Sequence, residues 1–180
     1  MLADKYLRDE LNKFAKYVIQ QSRSNLTKGK KNYSKNLYNS LSYKVSKKGV
    51  LFPMEQYGLF QDEGVKGKDP SKVSPNAKSK GQQAQNSQYK FGSGTSKGTF
   101  KQFSALMAEY AQKKNIRFRD AEGKYSKGGF KSVGYIIASN IYNRGLRPTL
   151  FFTKPFEAGL DKFSDEIVLG FIEDNLKLEE

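Results

Sequence analysis

The sequence predicts an α+β fold, a small antiparallel β-sheet packed by an N-terminal and a C-terminal amphipathic helix, with a long basic loop inserted. Three observations predict it: apolar residues at helical spacing near both ends, two short alternating runs between Leu41 and Phe52, and a polar, Lys-rich stretch at 66–98 that breaks the periodicity. At 180 residues the chain has room for one domain with a real core, so it reads as a single structural domain over 1–180, with 66–98 an extended or disordered basic arm.

Leu7, Leu11, Phe14 and Val18 recur at spacings of four, three and four, and Tyr6, Ala15 and Ile19 widen the stripe. They predict an amphipathic helix from Leu2 to Arg23, ended by Ser24-Asn25 and the Thr27-Lys28-Gly29-Lys30-Lys31 run, with the stripe packed on the sheet. A membrane-surface helix needs a larger cationic excess on its polar face. Residues 28–39 are basic and Asn/Ser-rich, with Tyr33, Leu37 and Tyr38 as the large apolar groups. They read as a connector whose aromatics cap the core, in preference to a platform that stacks single-stranded bases.

Leu41, Tyr43 and Val45 alternate, Lys47-Lys48-Gly49 supplies a turn, and Val50 and Phe52 resume the alternation until Pro53 and Met54 end it, which predicts a hairpin. Tyr57 to Glu63 then reads as one or two helical turns with Tyr57 and Phe60 on one face, stopped by Gly64. Residues 66–98 are too poor in apolar groups to order themselves, with Val73, Tyr89 and Phe91 as docking points. Thr99 caps a second helix carrying Phe100, Phe103, Met107 and Tyr110 to about Lys114. Ile116 to Arg119 and Lys124 to Ser126 flank a turn and read as a small basic hairpin or loop. A third helix, from near Ser132 to Gly145, carries Val133, Ile136, Ile137, Ile141 and Tyr142 on a wide apolar face and should be buried. Leu150 to Phe152 reads as a short strand, after which Thr153 caps a last helix with Pro155 in its first turn. Phe156, Leu160, Phe163, Ile167 and Phe171 form its apolar stripe, and its other face is acidic.

Charge is unevenly spread within the net +14. Residues 25–48 hold seven Lys and no acid, and residues 66–98 hold seven Lys against Asp69, whereas 154–180 hold three Lys against eight Asp or Glu. A basic excess favours contact with nucleic acid or another polyanion, and solvated lysine loops are the plain alternative. Segregated sign adds another option, an acidic surface on one subunit against a basic surface on the next.

Catalysis finds little support. With no His and no Cys, the commonest general base, metal ligand and thiol nucleophile are missing. Asp62 and Glu63 near Lys66 and Lys68 loosely resemble a metal-dependent nuclease site, but consecutive carboxylates diverge on helix or strand, so they read as solvated helix-terminal acids. Asp120 and Glu122 flank a turn and fare no better. The GxG at Gly92-Ser93-Gly94 lacks the spacing of a phosphate-binding loop. No catalytic, metal or cofactor residue is assigned. No apolar run reaches bilayer-spanning length and Met1 to Lys5 lacks a signal-peptide core, which points to a cytoplasm or a particle assembled there.

Four pieces in order resemble one family: the N-terminal amphipathic helix, the Leu-Ser-x-x-Val hairpin of Leu41 to Val45, the Tyr-Gly-x-Phe-x-Asp-x-Gly segment of Tyr57 to Gly64, and the aromatic-Pro-Phe-x-x-Gly-Leu helix start within Phe151 to Leu160. The chain resembles the tail-completion, or head-tail joining, proteins of long-tailed double-stranded DNA phages. The resemblance implies a non-enzymatic virion subunit of the neck, forming a homo-oligomeric ring, commonly sixfold in the family, between the connector and tail-tube proteins. It places Lys66, Lys68, Lys72, Lys78 and Lys80 toward DNA in the channel or toward a neighbour. Tyr57, Phe60, Asp161, Asp165, Glu166, Glu173 and Asp174 become the expected subunit interface. The alternatives are a tail terminator of the same architecture and a basic, non-sequence-specific nucleic-acid-binding protein.

Overall fold

The computed structural model describes residues 5–29, 34–46, 49–93, 98–119, 122–125 and 128–176. It is mixed helix and antiparallel sheet, in the order α1 (Lys5–Lys28), α2 (Asn36–Ser40), β1 (Lys44–Ser46), β2 (Gly49–Leu51), α3 (Tyr57–Glu63), β3 (Val65–Lys66), α4 (Phe100–Lys113), α5 (Gly129–Arg144), β4 (Gly145–Leu146) and α6 (Thr153–Leu176). Two compact units emerge, 1–62 with 149–180 (unit 1) and 63–148 (unit 2). Among the described residues no helix is long and apolar enough to cross a membrane.

Unit 1 is built on α1 and α6 running antiparallel, since Leu7 meets Asp174 near one end and Phe14 meets Phe156 nearer the other. Phe14 sits edge-on to Phe52, Phe156 and Phe163 at centroid distances of 6.0, 5.6 and 6.5 Å, which joins the hairpin to both helices. Ile19, Leu26, Leu37, Leu41 and Phe151 form the adjoining buried core. Leu26 explains why α1 continues past the predicted stop at Ser24-Asn25: it is fully buried, and that burial outweighs the weak breaking signal of Ser and Asn. The connector before the hairpin contains a short helix, α2, because Leu37 must face the core. Tyr33 and the turn lysines Lys47 and Lys48 lie outside the described residues. The hairpin pairs Val45 with Val50 and is shorter than the alternation suggests, with Leu41 buried ahead of the strand.

The predicted strand at Leu150 to Phe152 is a turn instead. Leu150 has φ 51° and Phe151 is buried, and α6 starts at once. The cap of α6 also differs from the sequence expectation. Asp62, at the end of α3 and 4% exposed, accepts from the N–H of Phe152 at 2.8 Å and of Thr153 at 3.3 Å, and the Thr153 hydroxyl donates to it as well. Thr149 N–H donates to the carbonyls of Gln61 and Asp62, both at 3.1 Å. Asp62 is therefore a buried acceptor at a helix N-terminus and not a solvated acid.

In unit 2, β3 pairs antiparallel with β4, Val65 opposite Leu146 and Lys66 opposite Gly145. Gly64, at φ 75°, stops α3 as predicted, and Gly145, at φ 93°, ends α5. Thr99 and Gln102 form a reciprocal capping box at α4, Gln102 N–H to Thr99 Oγ1 at 3.2 Å and Thr99 N–H to Gln102 Oε1 at 2.8 Å. Helices α4 and α5 approach closely at Gly134, where a Cβ would lie 2.7 Å from that of Ala108. Small residues, Ala111 and Ala138, fill the same interface with Val133. The wide apolar face of α5 is not all covered: Tyr135 is 58% and Ile136 42% exposed, because a contact built on Gly and Ala buries only a narrow strip.

The structure differs from the expected free arm at 66–98. Its described part is mostly irregular, as its composition predicts, but it is tied down within unit 2. Lys66 N–H donates to Tyr89 O at 2.8 Å, Lys68 N–H to Tyr142 O at 2.9 Å, Ser74 N–H to Asn140 Oδ1 at 3.1 Å and Gln83 N–H to Arg144 O at 2.7 Å. Phe91 lies 6.0 Å from Phe103 and 5.5 Å from Tyr142, ring centre to ring centre. Backbone hydrogen bonds to α5 supply what the side chains cannot, since few of those side chains are apolar.

Removal of the Asp62 acceptor tests unit 1. Asp62→Ala leaves several buried donors unsatisfied and should cost about 2–4 kcal/mol, with Asp62→Asn, which keeps one acceptor, costing less. Faster hydrogen exchange along α6 in denaturant-matched samples reads the effect, and unchanged protection contradicts this role.

Candidate functional site

Unit 2 carries most of the net positive charge. From the sequence it holds 17 Lys or Arg against five Asp or Glu, a net of +12, whereas unit 1 holds 15 against 13, a net of +2. A field of that size on a small unit attracts polyanions whatever their sequence.

The sequence-predicted lysines are all in unit 2, but they are not equivalent. Lys68, Lys72, Lys78 and Lys80 are exposed, while Lys66 is half-buried within β3. The Lys68 ammonium stands 5.8 Å from the centre of the Tyr142 ring. Lys72 pairs with Asp69 at 3.3 Å. The Ser71 hydroxyl donates to Asp69 at 2.6 Å and, with Lys72, holds its carboxyl below the usual range. A carboxyl depressed in this way supports the Pro70–Lys72 turn above the ordinary Asp range, and that support fades as pH falls through its lowered value.

The expected subunit interface separates into parts. Tyr57 is 42% exposed and so is Leu59 beside it, while Phe60 is half-buried. Asp161, Asp165, Glu166 and Glu173 are exposed along α6. Asp174 does not belong with them. It is 4% exposed and accepts from Leu7 N–H at 2.9 Å and Tyr6 N–H at 3.3 Å, at the N-terminus of α1. A carboxylate committed to a helix end inside unit 1 cannot also meet a neighbouring subunit.

Apolar residues on the same helix are missed by a single-stripe reading. Val168, Leu169 and Ile172 are 56%, 58% and 45% exposed, interleaved with the exposed acids, and Leu160 and Phe171 of the predicted stripe are themselves 43% and 56% exposed. The signal is the unbroken run Ile167-Val168-Leu169-Gly170-Phe171-Ile172, since six consecutive apolar positions go around a helix and cannot share one buried face.

The carboxylates first weighed for metal chemistry are otherwise engaged. Asp62 is bound to the start of α6, and Glu63 accepts from Gln88 Nε2 at 3.0 Å. Among the described residues, no three His, Cys, Asp or Glu converge as a metal site.

Replacing Lys68, Lys72, Lys78 and Lys80 together by Gln should flatten the salt dependence of duplex DNA binding by about 0.9 in log–log slope for each lysine that contacts phosphate. Anisotropy titrations across a salt series measure it, and an unchanged slope removes these lysines from the contact. Compared with known proteins, the chain matches no family model, no curated protein and no solved structure.

Proposed function

We propose that the chain is a structural virion subunit, a tail-completion (head-tail joining) protein that assembles into a homo-oligomeric ring in the neck of a long-tailed phage. The observation that carries the assembly is that one chain holds both halves of a complementary contact: a basic unit 2 and an α6 whose exposed surface alternates acids with Leu160, Val168, Leu169 and Ile172. Unlike patches on one chain give a heterologous contact, which repeats from copy to copy and closes into a ring when the rotation permits.

Magnitudes assign the roles within such a contact. Exposed ion pairs contribute about 0–1 kcal/mol each, so Asp161, Asp165, Glu166 and Glu173 orient the approach, and burial of the apolar side chains at about 25 cal/mol per Å² supplies the holding energy. The neck assignment itself rests on the order of the Leu41, Tyr57 and Phe151 segments. Its partners are further copies, the adjacent connector and tail-tube proteins, and DNA passing the basic surface. A second reading, a basic nucleic-acid-binding protein outside a ring, is favoured by the concentration of charge in unit 2.

Native mass measurement separates the readings. The ring reading predicts a discrete multiple of 20.4 kDa that also sediments with particles, and a Val168→Asp/Ile172→Asp double substitution that dissociates it while unit 1 stays folded. A monomer at every concentration, recovered only with nucleic acid, contradicts the ring and leaves the second reading.

A further inference from the structure

The loop between α4 and α5 and the start of α5 draw Arg117 and three rings, Phe118, Tyr125 and Phe130, around an open cavity, with Arg119 set against Tyr125 beside it. Arg119 and Tyr125 form an antiparallel bridge, so their side chains share one side of the turn. The Arg119 guanidinium lies 4.2 Å from the centre of the Tyr125 ring and donates to Gly123 O at 2.6 Å and to Tyr125 Oη at 3.0 Å. Arg117 stands 5.1 Å from the centres of both Tyr125 and Phe130. Beside them is a cavity of about 210 Å³ lined by Arg117, Phe118, Tyr125, Gly129, Phe130 and Val133. Val133 is buried and forms part of its wall, while Tyr125 is 55% exposed.

We infer that this cavity is a binding site for an unpaired nucleobase of single-stranded nucleic acid, with the flanking phosphates held by Arg119 and Lys131, Lys124 being paired with Glu122 at 3.0 Å. The size decides against a larger ligand, because pockets for whole small molecules begin at about 300 Å³. One flat group fits. Its walls include one planar cation, Arg117, and three rings, the surfaces on which bases stack, and guanidinium does this where ammonium does not. Hydrogen bonds to Gly123 and Tyr125 hold Arg119 in place beforehand, so little side-chain freedom remains to be lost on binding. The surroundings suit a phosphate backbone: residues 113–131 contain seven Lys or Arg against Asp120 and Glu122. A duplex keeps its base faces inside the stack and offers the cavity nothing but phosphate. An acidic peptide would satisfy the arginines and leave the rings without a planar partner. The site lies within unit 2 of one copy, so it stands whether or not copies assemble.

The test uses the full chain and a fluorescein-labelled oligo-dT, with anisotropy read over a salt series and with unlabelled duplex and poly-glutamate as competitors. Single strand should bind more tightly than duplex of equal length. Tyr125→Ala should weaken binding about tenfold, Tyr125→Phe, which keeps the ring and loses only the Oη acceptor of Arg119, should weaken it less, and Arg117→Ala should lower affinity, whereas Lys131→Ala should lower the slope by about 0.7. Arg117→Lys should keep the slope and lose affinity, which separates stacking from charge. Circular dichroism confirms that each variant is folded, and if Tyr125→Ala is not, the Arg117 pair decides. Wild-type affinity in Tyr125→Ala, equal affinity in Arg117→Lys, or displacement by poly-glutamate as effective as by oligo-dT overturns the inference. Ring formation unaffected by these variants would show that failure here is separate from failure of the assembly reading.

Discussion

Unit 1 depends on a buried carboxylate. Its chain leaves at Asp62 and returns at Thr149, with 63–148 between, so something must join two points far apart in sequence. Asp62 does so with its side chain on the first N–H groups of α6 and its carbonyl on Thr149 and Leu150. At the opposite end of the same helix pair, Asp174 accepts from the start of α1. Each long helix thus has two of its N-terminal backbone donors satisfied by an acid from elsewhere in the chain, Asp174 tying α6 to α1 and Asp62 tying α3 to α6. The phenylalanine cluster of Phe14, Phe52, Phe152 and Phe156 then supplies the apolar burial between these two fixed points.

This arrangement separates tasks along the sequence. Unit 1 holds 13 of the 18 acids, on helix ends and on the exposed side of α6 among other places, while the basic groups divide 15 to 17, so the net positive charge falls to unit 2. Because loop-closure cost grows only slowly with length, an excursion as long as unit 2 is tolerated once its two ends are bonded together.

How legible this was in the sequence varies with the reach of the interaction. The α4 start is legible because its cap is local: Thr99 and Gln102 are three residues apart and bond to each other. The α3 segment and its stop at Gly64 are legible for the same reason. The role of Asp62 is not, since its partners lie 90 and 91 residues away and no local pattern marks them. Asp174 looks like its exposed neighbours Glu173 and Asp165, and only the fold brings it to Leu7. The irregular course of 67–91 follows from composition, but its attachment to α5 combines backbone groups that every sequence possesses with the side chains of Asn140 and Tyr142, which no local pattern links to it. For the site, the charge bias is readable residue by residue, whereas the gathering of Arg117, Arg119, Tyr125 and Phe130 requires the turn geometry.

The claim that joins these elements is that α6 of one copy meets unit 2 of the next. Zero-length carboxyl-to-amine cross-linking of a mixture of ordinary and ¹⁵N-labelled chains tests it directly, because heavy–light peptide pairs arise between copies alone. The account predicts mixed pairs joining Asp161, Asp165, Glu166 or Glu173 to lysines of unit 2, and loss of those pairs in the Val168→Asp/Ile172→Asp variant. An assembled sample in which α6 yields no mixed pair with unit 2 would contradict it.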